Sequence, residues 1–193
     1  VDAAQATTGI GLVGDRYKGG SGKRGLTLIQ AEHLPVIAAL AKDSFERTTA
    51  NGFGTSDKGG AWTLSGTASN YSVSNGSGSM RAASSGGGPR VLLGPVGSAD
   101  TTASVNVSFD KAPAGGDYYF TVASRRTGNS EYRLKARFQA TQTVLYLAKL
   151  VDGTETTLKS TTISNAKYSA GDVFTVKLQV RGNELNGRIW RVG

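Results

Sequence analysis

From Asp43 onward, apolar and polar side chains alternate in short bursts separated by glycine and asparagine. Alternation with period two places successive side chains on opposite faces of a strand. In 117–125, Tyr118, Phe120 and Val122 fall on one face, with Tyr119, Thr121 and Arg125 on the other. In 131–139, Tyr132, Leu134, Ala136 and Phe138 oppose Arg133, Lys135 and Arg137. In 173–181, Phe174, Val176, Leu178 and Val180 oppose Lys177 and Gln179. The pattern predicts strands at 61–65, 70–74, 78–83, 89–93, 102–109, 117–125, 131–139, 143–151, 154–163, 173–181 and 185–192. One buried and one wet face per strand is the antiparallel signature. The close, even spacing is that of a sandwich or barrel. Turn signals fall between the bursts at Asn75-Gly76, Gly115-Gly116, Asp152-Gly153, Gly171-Asp172 and Gly182-Asn183. Asp152-Gly153 is the clearest hairpin.

The first 42 residues read differently. Residues 1–8 show no periodicity, 9–25 are glycine-rich and loop-like, and 26–30 (LTLIQ) are a short strand candidate. In 31–42, Leu34, Ile37, Ala38 and Ala41 recur at helical spacing, and Pro35 is tolerated only in a first turn, so a helix is expected from about His33. A segment this short does not hold a core alone. It is expected to be an arm that packs on residues 43–193, the main domain, or on a neighbour.

Composition narrows the chemistry. The 193 residues contain no cysteine, which excludes disulfides, thiolate nucleophiles and Cys-ligated metals. No apolar run is long enough for a membrane span, and no signal peptide is visible. Lysine and arginine outnumber acids by 22 to 14. A positive surface favours anionic partners without choosing among them. Nucleic acid fits the charge, but no recognition helix, zinc finger or RNP-like strand accompanies it.

Few residues suggest catalysis. Gly9 to Gly14 spell G-x-G-x-x-G but lack the strand before and the helix after. Gly22-Lys23 ends like a P-loop, but Tyr17 replaces the first glycine and Arg24 the magnesium-binding hydroxyl. His33, the sole histidine, reads as a packed or capping residue, and no G-x-S-x-G elbow is present. No predicted strand has two acids at i, i+2 or i, i+4, as a β-sandwich glycosidase would require; Glu131 stands alone among basic neighbours. Asp43, Asp57 and Asp172 could serve calcium only with backbone carbonyls, since no loop has diagnostic spacing. No cofactor is expected. Trp62 and Trp190 read as core or edge packing. What remains is an outward face showing Tyr119, Arg125, Arg133, Lys135, Arg137 and Tyr146, where rings could stack on sugars and guanidinium forks could pair with anions. The competing reading is a solvated face that keeps the sheet soluble.

Two resemblances add to this. The stretches DSFERTTANGFGTSDKGGAWTLSGTASNYSVSNGSGSM, DKAPAGGDYYFTVASRR, EYRLKARF and YSAGDVFTVKLQV resemble the concanavalin-like jelly-roll modules of actinobacterial secreted proteins and actinophage structural proteins, over essentially all of 43–193. Such modules usually continue past a strand like RIWRVG, so a strand supplied by the arm or by a neighbour is expected, or an open edge. Residues 9–42, with Gly14-Asp15-Arg16, Gly22-Lys23-Arg24 and LIQAEHL at 28–34, are similar to part of the MOSC family of sulfur- and molybdenum-cofactor-associated barrels. That family's chemistry rests on a cysteine which this chain lacks. The expectation is therefore an all-β antiparallel jelly-roll sandwich with an N-terminal loop and short-helix arm. It is expected to be a non-enzymatic module, extracellular or on a virion surface, that binds polysaccharide or cell-envelope glycan. The alternative is a virion structural protein whose arm and open edge contact other copies or subunits. A MOSC-type sulfur carrier is the remote third.

Overall fold

The computed structural model describes residues 38–84, 86, 88–164 and 166–193. The MOSC-like stretch, LTLIQ, His33 and the start of the predicted helix lie outside them. The described chain is an all-β structure of antiparallel sheets. Its strands are β1 (Thr49–Ala50), β2 (Thr63–Ser65), β3 (Tyr71–Ser74), β4 (Ser77–Met80), β5 (Arg90–Leu92), β6 (Thr101–Val107), β7 (Tyr118–Thr127), β8 (Ser130–Phe138), β9 (Thr143–Val151), β10 (Thr154–Ile163), β11 (Phe174–Arg181) and β12 (Glu184–Arg191). One turn of 3-10 helix, Ala68–Asn70, precedes β3.

Two sheets form the sandwich. One has the order β10-β9-β8-β7 and the other β12-β11-β6. The alternation seen in the sequence explains their packing. Leu134, Ala136 and Phe138 of β8 are buried against Phe174, Val176 and Leu178 of β11, in a core that also takes Ala103, Val107, Val122, Leu145, Tyr168 and Val180. The Tyr168 hydroxyl, deep in this core, accepts from the Phe109 N–H and donates to the Phe109 carbonyl, so it is fully satisfied. The two sheets pack tightly at Gly187 of β12, where a Cβ would stand 2.5 Å from Leu134 Cδ1. The Asp152-Gly153 turn carries φ of 47° and 85°, the two positive values of a type I′ hairpin.

Residues 41–93 form a smaller lobe with its own core. The sheet β1-β3-β4 and the pair β2-β5 enclose Phe53, Tyr71 and Val73, with Phe45, Trp62, Leu64 and Val91 around them. Phe45 and Trp62 stack at 6.2 Å, and Phe53 meets Trp62 edge-on at 5.7 Å. The Trp62 indole N–H donates to Asp43, which also takes the guanidinium of Arg47. The expected helix is not continued at its described end: residues 38–42 are non-helical. The reason is tertiary. The Lys42 backbone forms an antiparallel bridge with Lys58, and Ala41 is buried close to Gly59.

Candidate binding faces

The outward face of the four-stranded sheet is built by cross-strand register. Tyr119 pairs with Arg137 and Arg137 with Val144; Lys135 pairs with Tyr146; Arg133 pairs with Ala148. The structure thus brings together five of the six residues that alternation pointed to: Tyr119, Arg133, Lys135, Arg137 and Tyr146. Tyr119 is 52% exposed, and the Arg137 guanidinium lies 5.9 Å from its ring centre. Lys135 Nζ lies 5.6 Å from the centre of the Tyr146 ring.

Every cation in this set has an acidic partner. Arg137 donates to Asp117 at 2.7 Å and reaches the Tyr146 hydroxyl; the two bonds raise its already high pKa. Arg133 bridges two carboxylates, with Nε on Glu131 at 2.6 Å and Nη1 on Glu155 at 2.8 Å. Lys135 also pairs with Glu155. Glu131 is buried and receives Arg126 and Arg90 as well. Burial pushes the Glu131 carboxyl up. The hydrogen bonds from Arg126 and Arg133 and the charge of Arg90 outweigh it and hold the group below its usual range. Glu155 is lowered the same way: burial raises it, and Lys135 and Arg133 more than compensate.

The sixth residue, Arg125, is a correction. Alternation assigns it to the outward face, but the register between β7 and β8 shifts between Ser124 and Thr127, and Arg125 has φ of 50°. A bulge re-aims the side chain it carries. Arg125 turns to the Ala99 carbonyl and pairs with Asp100 at 2.8 Å. It helps line a cleft of about 320 Å³ with Tyr132, Lys149, Leu158, Gly182, Asn183 and Leu185.

Sequence reading also misses the ion-pair cluster Glu131–Arg133–Glu155. The acids come from β8 and β10, both in register with Leu150 of β9, so no single strand displays the pair. Both are held ionised, so neither has a proton to donate near neutral pH. The aspartates considered for calcium are engaged elsewhere: Asp43 with Arg47 and Trp62, Asp57 with the Ser44 N–H, and Asp172 with the Ser169 N–H and Arg191. Among the described residues no cluster of three acidic or histidine side chains could hold a metal.

The opposite outward face belongs to the three-stranded sheet. Trp62 packs in the core of the smaller lobe, whereas Trp190 stands on β12 at the end of its sheet, 45% exposed. In the register it is beside Thr175, whose hydroxyl donates to Asn106 at 2.7 Å. The next rows are Ser104–Lys177–Arg188 and Thr102–Gln179–Asn186. Lys177, Gln179, Asn186 and Arg188 line a depression of about 200 Å³. Compared with known proteins, the chain matches no family model, no curated protein and no solved structure. No helix among the described residues is long and apolar enough to cross a membrane.

Proposed function

We propose that this chain is a non-enzymatic binding module of the jelly-roll type. It would be displayed outside a cell or on a virion, where it takes a polysaccharide of the cell envelope on the outer face of its four-stranded sheet. The observation that carries this reading is the exposed Tyr119 ring backed by Arg137, itself fixed by Asp117 and Tyr146. A ring held in place before binding loses little freedom on binding. Arg133, Lys135 and Arg137 are each tied to a carboxylate, so they offer oriented donors and acceptors rather than free charge, which suits hydroxyl-rich sugars better than a bare anion.

The test is a glycan and cell-wall polysaccharide array probed with the full chain at low and high salt. Salt-resistant binding to a defined neutral sugar, lost in Tyr119→Ala and Arg137→Ala, is expected. Binding that survives both substitutions would reject this face.

One observation favours a second reading, a virion structural subunit. Among the described residues β10 is an edge strand with nine of its ten residues exposed, and a bulge between Thr157 and Lys159 leaves Leu158 48% exposed. An open edge is a template for another chain. Light scattering across a concentration series separates the readings. A defined oligomer that Leu158→Lys dissolves would favour assembly, and a monomer at all concentrations would favour the binding module.

A further inference from the structure

We infer that the outer face of the three-stranded sheet is a second, separate binding surface, for an acidic polysaccharide whose sugars carry carboxylates. It does not depend on the four-stranded face binding anything.

The argument starts from what this face lacks. Its central rows are Asn106–Thr175–Trp190, Ser104–Lys177–Arg188 and Thr102–Gln179–Asn186. Lys177 and Arg188 are directly opposed, at a separation where like charges destabilise a sheet. Among the described residues neither has an acidic partner, and none of these nine positions is acidic. The surroundings differ: on the same sheet Arg181 stands opposite Glu184, and Arg191 pairs with Asp172. On the other sheet, Arg133, Lys135 and Arg137 each have a carboxylate. Lys177 and Arg188 are thus an opposed like-charge pair, without a carboxylate, at the middle of a sheet face. An incoming anion would relieve the repulsion, which makes the pair a receptor for negative charge.

The neighbours specify the kind of anion. Trp190 is two residues from Arg188 on the same face of β12, about 7 Å along the strand. An indole face accepts the apolar side of a sugar ring, while an arginine fork pairs with a carboxylate. Gln179 and Asn186 add amide donors and acceptors for hydroxyls. The depression of about 200 Å³ between them is several times the roughly 30 Å³ share of one water molecule, so a carboxylate and part of its sugar can enter. Among the described residues no strand flanks β12 on the far side of Trp190, which leaves room there for a polymer to run past. A uronate sugar presents ring and carboxylate together, matching the Trp190–Arg188 spacing. A phosphate polymer or a nucleic-acid backbone would use the cations and leave the indole idle.

The test titrates the full chain with polygalacturonate, with inorganic polyphosphate and single-stranded DNA as comparison polyanions, at low and high salt. Polygalacturonate should bind, weaken about tenfold or more in Arg188→Gln and in Lys177→Gln, and lose its salt-resistant part in Trp190→Ala. Tyr119→Ala should leave it unchanged, which keeps this result independent of the first face. No polygalacturonate binding at low salt overturns the proposal. So does binding indifferent to all three substitutions, or polyphosphate or DNA binding as tightly with Trp190→Ala silent. A second readout needs no ligand. Arg188→Glu should raise the melting temperature by roughly 1–4 °C by removing the like-charge contact. A fall would show that Arg188 has a structural partner and would also overturn the proposal.

Discussion

Glu131 is the residue on which most depends. It is a buried carboxylate with guanidinium groups from Arg90, Arg126 and Arg133 around it. Glu131→Gln should destabilise by about 2–3 kcal/mol. That is below the roughly 3–5 kcal/mol of a fully buried pair, because the arginines left behind reach water. Denaturant unfolding reads the difference. The pH dependence has a definite sign. Glu131 is lowered in the folded state, so its contribution is complete above the unfolded carboxyl value of about 4.3 and is lost as pH falls through the folded value. Melting temperature should hold from about pH 7 to 5 and drop below about 4, with a shallower drop in Glu131→Gln, as thermal scans across pH would show. The sequence displayed only part of this. Arg126 and Arg133 sit close to Glu131 along the chain, but Arg90 is 41 residues away and reaches it only through tertiary structure. Arg125 shows the opposite failure: its face was readable from alternation until a bulge turned it, and no local signal marks that bulge.

At the scale of elements, β7, β8 and β11 were legible because apolar and polar residues alternate along them, and β7, β9 and β11 also end at a glycine turn. β1 was not, since Thr49 and Ala50 are too few to show a period and exist as a strand only through pairing with β3. At the described end of the helical spacing, residues 38–42, no helix forms because Ala41 and Lys42 gain more from burial and the bridge to Lys58 than an isolated turn of helix offers. The candidate faces were readable strand by strand, but which residues stand side by side depended on register. Gly187 gives the sharpest prediction here. Gly187→Ala drives a methyl into Leu134, which has no room to move, and should cost about 1–3 kcal/mol by urea unfolding. Adding Leu134→Ala should recover part of that loss. β10 predicts a gradient in hydrogen exchange: among the described residues it is paired on one side only, and its amides should exchange well before those of central β8.

At the scale of the whole molecule, the two apolar clusters share no residue. The chain from Gly94 to Ser98 connects them, and the side-chain hydrogen bond that joins them among the described residues is Arg90 to Glu131. Residues 98–193 contain every member of the sandwich core and should unfold cooperatively when expressed alone, which calorimetry would show. Arg90→Ala should lower the sandwich transition less than Glu131→Gln, because Arg126 and Arg133 still face the carboxylate, while speeding proteolytic cleavage between Gly94 and Ser98. The tryptophans fall one to each part. Trp62 is packed among aromatic rings with its N–H on Asp43, and Trp190 is half in water on the sandwich edge. Their emission therefore separates by colour as well as by place, blue for the lobe and red for the sandwich. The protein carries its own optical label on each half, so Trp62→Phe or Trp190→Phe leaves a chain whose light reports on one half alone.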